Sequence, residues 1–114
     1  MASVTIKLSK PLITHEGDLH SLEITEPRGL DYLRLGEPVT YGQNPDGAVF
    51  VVENEDVIQR YVEVCVPITV NSIILDQIGL EDAMKIKAAV LDFFRAARDR
   101  QSETSSTSSS STSA

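Results

Sequence analysis

A chain of 114 residues with a formal charge of −7 is long enough for one folded domain and not for two. Residues 1–98 hold nine Lys/Arg against fifteen Asp/Glu, and the basic residues are scattered apart from Arg95, Arg98 and Arg100, so no nucleic-acid partner is expected. The single cysteine, Cys65, excludes an intramolecular disulfide and a Cys-rich zinc site. It lies on an apolar run and reads as a small buried hydrophobe.

In chain order, Val4, Ile6 and Leu8 alternate with Thr5 and Lys7, the period of a half-buried strand. Leu22 and Ile24 repeat it after a polar link containing Gly17 and Asp18. The two runs predict an antiparallel hairpin with a loop longer than a tight turn. In "EPRGLDYLRLG", residues 26–36, Pro27 suits the first turn of a helix, Leu30 and Leu33 are expected in the core, and Gly36 supplies the stop. Arg28 and Asp31, three apart, read as a surface ion pair.

Asn44-Pro45-Asp46-Gly47 is turn chemistry. Val39 and Tyr41 before it and Val49–Val52 after it form a second small hairpin, or else Val49–Val52 lead into the next helix. Over 54–66 the period changes: Val57, Ile58, Tyr61, Val62 and Cys65 make one helical stripe, Asn54 is the expected N-cap, and Pro67 ends the run. Asn71 or Ser72 caps a short turn carrying Ile73, Ile74, Leu75 and Ile78. The last helix, about 80–98, has a wide apolar face that includes Met84, Ile86, Val90, Leu91, Phe93 and Phe94. Its acids fall early and its arginines late, as the helix dipole favours. Adjacent Phe93 and Phe94 diverge by roughly 100°, so both can be buried only if this helix is contacted on two sides: either it runs through the centre of the fold, or part of it awaits a partner. Residues 101–114, almost all Ser and Thr, have nothing to bury and are expected to be disordered.

The fold class is thus α+β: an N-terminal antiparallel hairpin, a second short one, and three to four helices in a single domain over 1–100. No chemistry-bearing constellation accompanies it. His15 and His20 with Glu16 and Asp18 lie on a polar loop that offers no rigid face to a metal. Neither GxGxxG nor GxxxxGK[ST] occurs. The pairs Glu55-Asp56 and Glu81-Asp82 sit in first turns, where they complement the dipole. No catalytic site, cofactor or metal is expected, and a protein-binding role is. With no signal-like or membrane-length apolar stretch, a cytoplasmic location is expected.

Three pieces in order, "LEITEPRGLDYLRLG", "VCVP" and "ILDQIGLEDAMKIKAAVLDFF", resemble the small tail assembly chaperones of Mu-like contractile-tailed phages and prophages, the E-type tail proteins. The likeness covers roughly residues 4–95. Gly79, where a capping Asp or Ser is usual, and the longer 37–52 segment depart from the pattern. The resemblance implies a non-catalytic chaperone that binds the tape measure protein, with the tail tube protein as a further partner, and keeps it soluble during tail morphogenesis in the bacterial host. It implies absence from the mature virion and a longer product made by translational frameshift, with residues 101–114 lying where that product would diverge. Val57, Tyr61, Met84, Val90, Leu91, Phe93 and Phe94 are the expected partner-binding residues, and self-association is left open. The rival readings are a structural tail or baseplate component and a small adaptor or regulator.

Overall fold

The structure, a computed structural model, describes residues 2–113, with side chains as far as Gln101. It is α+β: two antiparallel hairpins and four helices in the order β1 (Ser3–Thr14), β2 (Gly17–Thr25), α1 (Gly29–Leu35), β3 (Val39–Gln43), β4 (Val49–Glu53), α2 (Glu55–Cys65), α3 (Ser72–Leu75) and α4 (Leu80–Ser113). The expected disorder of 101–114 lies outside the residues described in full.

The first hairpin follows the alternation, with Ile6, Leu8, Leu12, Leu22 and Ile24 buried on one face. Its loop is shorter than expected. Thr14 pairs with Gly17, which takes φ +121°, so only His15 and Glu16 lie between the strands. The alternation gave no sign of this because β1 carries an irregularity. Ser3–Lys7 pair with Ser21–Thr25 and Leu12–Thr14 with Gly17–Leu19, leaving Leu8, Ser9, Lys10 and Pro11 opposite His20. Pro11 has no amide to give the ladder, and the bulged residues must find other partners.

They find Asp82, in the first turn of α4. Its carboxylate accepts the Ser9 amide (2.9 Å to Oδ1), the Ser9 hydroxyl (3.1 Å to Oδ2) and the Lys10 amide (3.4 Å to Oδ2). Asp82 is fully buried. The expectation of a solvated dipole complement is therefore corrected: this carboxylate fastens α4 to β1. The Ser9 amide, more than any other group, holds the Asp82 carboxyl below its ordinary range, against the opposing effect of burial. Gln77 adds a second fastening, accepting from the Ile13 amide at 2.9 Å and donating to the Ile13 carbonyl at 3.0 Å.

In α1 the expected orientation is reversed. Leu30 and Leu33 are exposed, whereas Asp31 is buried and Leu35 packs on the core. The cause is the helix start. Asp31 Oδ2 accepts the Arg28 amide at 3.1 Å, one of the amides the first turn leaves without a helical partner. Residues 31 and 35 share a face, so Leu35 turns inward with the cap. Arg28, with its guanidinium 3.3 Å from Asp31 Oδ1, occupies the N-cap position. Pro27 therefore precedes the helix instead of lying in its first turn. Gly36, at φ +84°, ends the helix by donating to the Tyr32 carbonyl.

The core joins the first hairpin to α2, α3 and α4, with Tyr61, Cys65, Val66, Val70, Ile74, Ile86, Val90 and Phe93 among its members. Asn54 stands at the N-cap of α2, but its side chain donates to the Glu37 carbonyl at 2.8 Å instead of capping. Asn71 does cap α3, accepting the Ile74 amide at 3.0 Å. α4 continues beyond Arg98, where the sequence ended it. The late arginines find carboxylates: Arg98 pairs with Glu37, and Arg100 lies 3.3 Å from Glu26.

Candidate functional site

α4 is contacted on two sides, by the first hairpin and by α2, the first of the two arrangements the adjacent phenylalanines allow. Phe93 is buried and borders the surface facing Val4 and Ile6. Phe94 turns the other way, its ring edge-on to Tyr61 at 4.8 Å and tilted against Tyr32 at 6.3 Å.

Between α4 and the start of β1 runs an open groove of about 530 Å³. Its floor comes from Ala88, Ala89, Phe93 and Ala96 on α4 and its far wall from Val4 and Ile6. Ala89, Phe93 and Ala96 follow a 4–3 spacing and share a face, with Ala88 beside it. Three are alanine, and small side chains allow a second backbone to approach within helix-packing distance, 8–10 Å between axes. Lys85, Asp92, Glu26 and Arg100 stand at the rim. Glu26 and Arg100 pair with one another across one end.

A second cleft of about 270 Å³ lies between α1 and α4, over Pro27, Tyr32, Phe94 and Ala97. Three of its polar side chains, Tyr32, Glu37 and Arg98, are engaged with one another. The Tyr32 hydroxyl donates to Glu37 Oε1 at 2.7 Å, and Glu37 accepts Arg98 as well. The hydrogen bond to the Glu37 carboxylate raises the Tyr32 hydroxyl above its ordinary range, so it stays a donor.

The seven expected partner-binding residues separate into three groups. Tyr61, Val90 and Phe93 are core, with Tyr61 and Val90 wholly buried. They do not form an accessible patch in this conformation, although Phe93 reaches the groove edge. Val57, Leu91 and Phe94 are half-buried, and Phe94 meets the second cleft. Met84 alone is well exposed, one turn from exposed Leu80. A contact surface built from all seven does not exist here, because a side chain that fills the core has no face left for a partner. The groove alanines were missed, since alanine reads as helix former or core in any sequence. Their signal was the spacing of Ala89 and Ala96, in phase with Phe93.

Cys65 is buried, and burial pushes its thiol up to about 12, which leaves it protonated and unreactive. Among the described residues no group of three or more His, Cys, Asp or Glu is placed to hold a metal, and no helix is long and apolar enough to cross a membrane. Compared with family models, curated proteins and solved structures, the chain matches none.

Proposed function

We propose that this chain is a tail assembly chaperone of a Mu-like contractile-tailed phage or prophage, which binds the tape measure protein and keeps it soluble until the tail tube assembles around it. It works by binding alone, in the cytoplasm of the bacterial host, and is left out of the mature virion. The observation that carries the reading is the alanine-floored groove along α4. A long, largely helical client needs a place where an apolar helix face can lie, and that is the helix-in-groove mode. The groove is apolar along its length, with charged residues at its rim, which favours an amphipathic occupant over an acidic or basic one. The negative charge of the chain limits self-aggregation and non-specific contact with DNA. The client is taken from the resemblance in sequence, and the groove supports it.

Co-expression with a tape measure protein of a Mu-like phage tests the proposal. The chain is expected to raise the partner's soluble fraction and to co-purify with it. Ala96→Glu, which places a charge in the groove at an exposed position, is expected to abolish co-purification while leaving the fold intact. A tape measure protein that is equally soluble alone sinks the reading. The structural-component alternative is separated by mass spectrometry of purified virions, which would contain such a component and lack a chaperone.

A further inference from the structure

The second hairpin differs from the first in leaving its large apolar side chains exposed. Tyr41, Val49, Phe50, Val51 and Val52 are all exposed, between 43% and 68%. In the first hairpin, Asp82 occupies the β1 edge at Ser9 and Lys10, and Gln77 occupies it at Ile13. Among the described residues no side chain hydrogen-bonds the backbone of Val49 or Val51. Sheet edges are ordinarily guarded by Lys, Pro or a bulge. β4 has none of these, and residues 38–52 carry one charge, Asp46 in the turn. A two-stranded ribbon alone is marginal in water.

The ladder shows which groups point outward. Asn44 donates to Ala48 O and Asn54 to Pro38 O, and Gly42 pairs with Phe50 and Thr40 with Val52. Hydrogen-bonded pairs alternate in an antiparallel ladder, so the even positions bond inward. The N–H and C=O groups of Val49, Val51 and Glu53 face the open edge.

We propose that β4 pairs antiparallel with β4 of a second copy of this chain, about a two-fold axis at Val51. That register sets Val51 against Val51 and Val49 against Glu53 of the second copy, so every outward donor of the strand meets an outward acceptor. It also places Phe50 beside Val52 of the second copy on one face, an aromatic and β-branched pair of the kind that stabilises sheets. The edge is self-complementary, as an isologous interface requires. Its one acid, Glu53, is already bonded to Lys87 at 2.9 Å within its own chain, so no bare carboxylate is brought to the interface. The five exposed side chains amount to about 500 Å² per copy, only part of which edge pairing covers, so the dimer belongs with the weak, reversible class. The pairing does not depend on the identity of the client.

Sedimentation velocity of the full chain from about 1 to 200 µM tests this. The expected result is a monomer–dimer equilibrium with a dissociation constant of roughly 10 µM. Val51→Pro removes an outward N–H without touching the β3–β4 ladder, and is expected to raise that constant at least tenfold with unchanged circular dichroism. Tyr41→Pro makes the same change on the opposite edge and is expected to dimerise normally. Hydrogen exchange of the unsubstituted chain supplies a readout that needs no variant: the Val49, Val51 and Glu53 amides should exchange more slowly at high than at low concentration. A monomer at every concentration, a dimer lost through Tyr41→Pro and kept by Val51→Pro, or concentration-independent exchange at those three amides would each overturn the proposal.

Discussion

Replacing Tyr61 by Phe separates a core role from a binding role at a residue the sequence placed on the partner surface. Tyr61 is fully buried, and its hydroxyl donates to the Gly36 carbonyl at 2.6 Å, at the point where α1 ends. Burial pushes that hydroxyl up to about 12, so it remains a neutral donor at any ordinary pH. Phe keeps the ring and its edge-on contact with Phe94 and removes one hydrogen bond. What is lost is the bond itself together with the satisfaction of a part-buried carbonyl, about 1–2 kcal/mol in all. For a domain of this size that lowers the melting temperature by roughly 5–10 °C. Thermal unfolding followed by circular dichroism reads it directly. Tyr61→Leu, which also gives up the aromatic contact, should fall further by about 0.5–1.5 kcal/mol beyond any packing loss. A Tyr61→Phe protein that melts within a degree of the unsubstituted chain would refute the tie between α1 and α2 described above.

Other expectations concern the charge, the thiol and the ribbon. The Asp82 carboxyl is held below its ordinary range by the Ser9 and Lys10 groups, so its contribution is complete above the unfolded-state value of about 3.9 and fades as pH falls through the lower folded value. Asp82→Asn should therefore unfold at lower temperature than the unsubstituted chain at pH 7 and show a flatter acid limb, and parallel acid limbs would contradict the fastening. Cys65 should resist a thiol reagent in the native protein and react at the rate of global opening in denaturant; rapid native labelling would mean that the core around Tyr61 is open. At Gly42 a Cβ would run into the Phe50 ring, so Gly42→Ala should swing the ring off the ribbon, seen as a shift of the Phe50 aromatic resonances, at a cost under about 1 kcal/mol because the ring end is free to move.

The hairpins and helices were legible wherever period and punctuation agreed. Val4–Leu8 with Leu22 and Ile24 marked the first hairpin, Asn-Pro-Asp-Gly marked the second, and the Val57–Cys65 stripe marked α2. What escaped depended on partners distant in the chain. Nothing near Ser9 announces that its amide will be met by Asp82, and nothing near Asp82 announces that an acid in a first turn will be buried. The inward turn of Asp31 and Leu35 escaped for a local reason: in a seven-residue helix the start must be satisfied before apolar spacing can choose a face. The candidate site was half legible. The width of the apolar face on the last helix pointed to two-sided contact or to a face kept for a partner, and bulk drew attention to Phe93, Phe94 and Tyr61. Large side chains fill cores, and the groove was left to the alanines between them.

The most direct test of the proposed function is a methyl-labelled NMR titration of this chain with a helical fragment of the tape measure protein. Binding in the groove predicts that the Ala88, Ala89, Ala96 and Val4 methyl signals move together and saturate at one fragment per chain, while those of Val49 and Val51 stay in place. Methyl signals that do not move, or that move on the ribbon and not along α4, would contradict it.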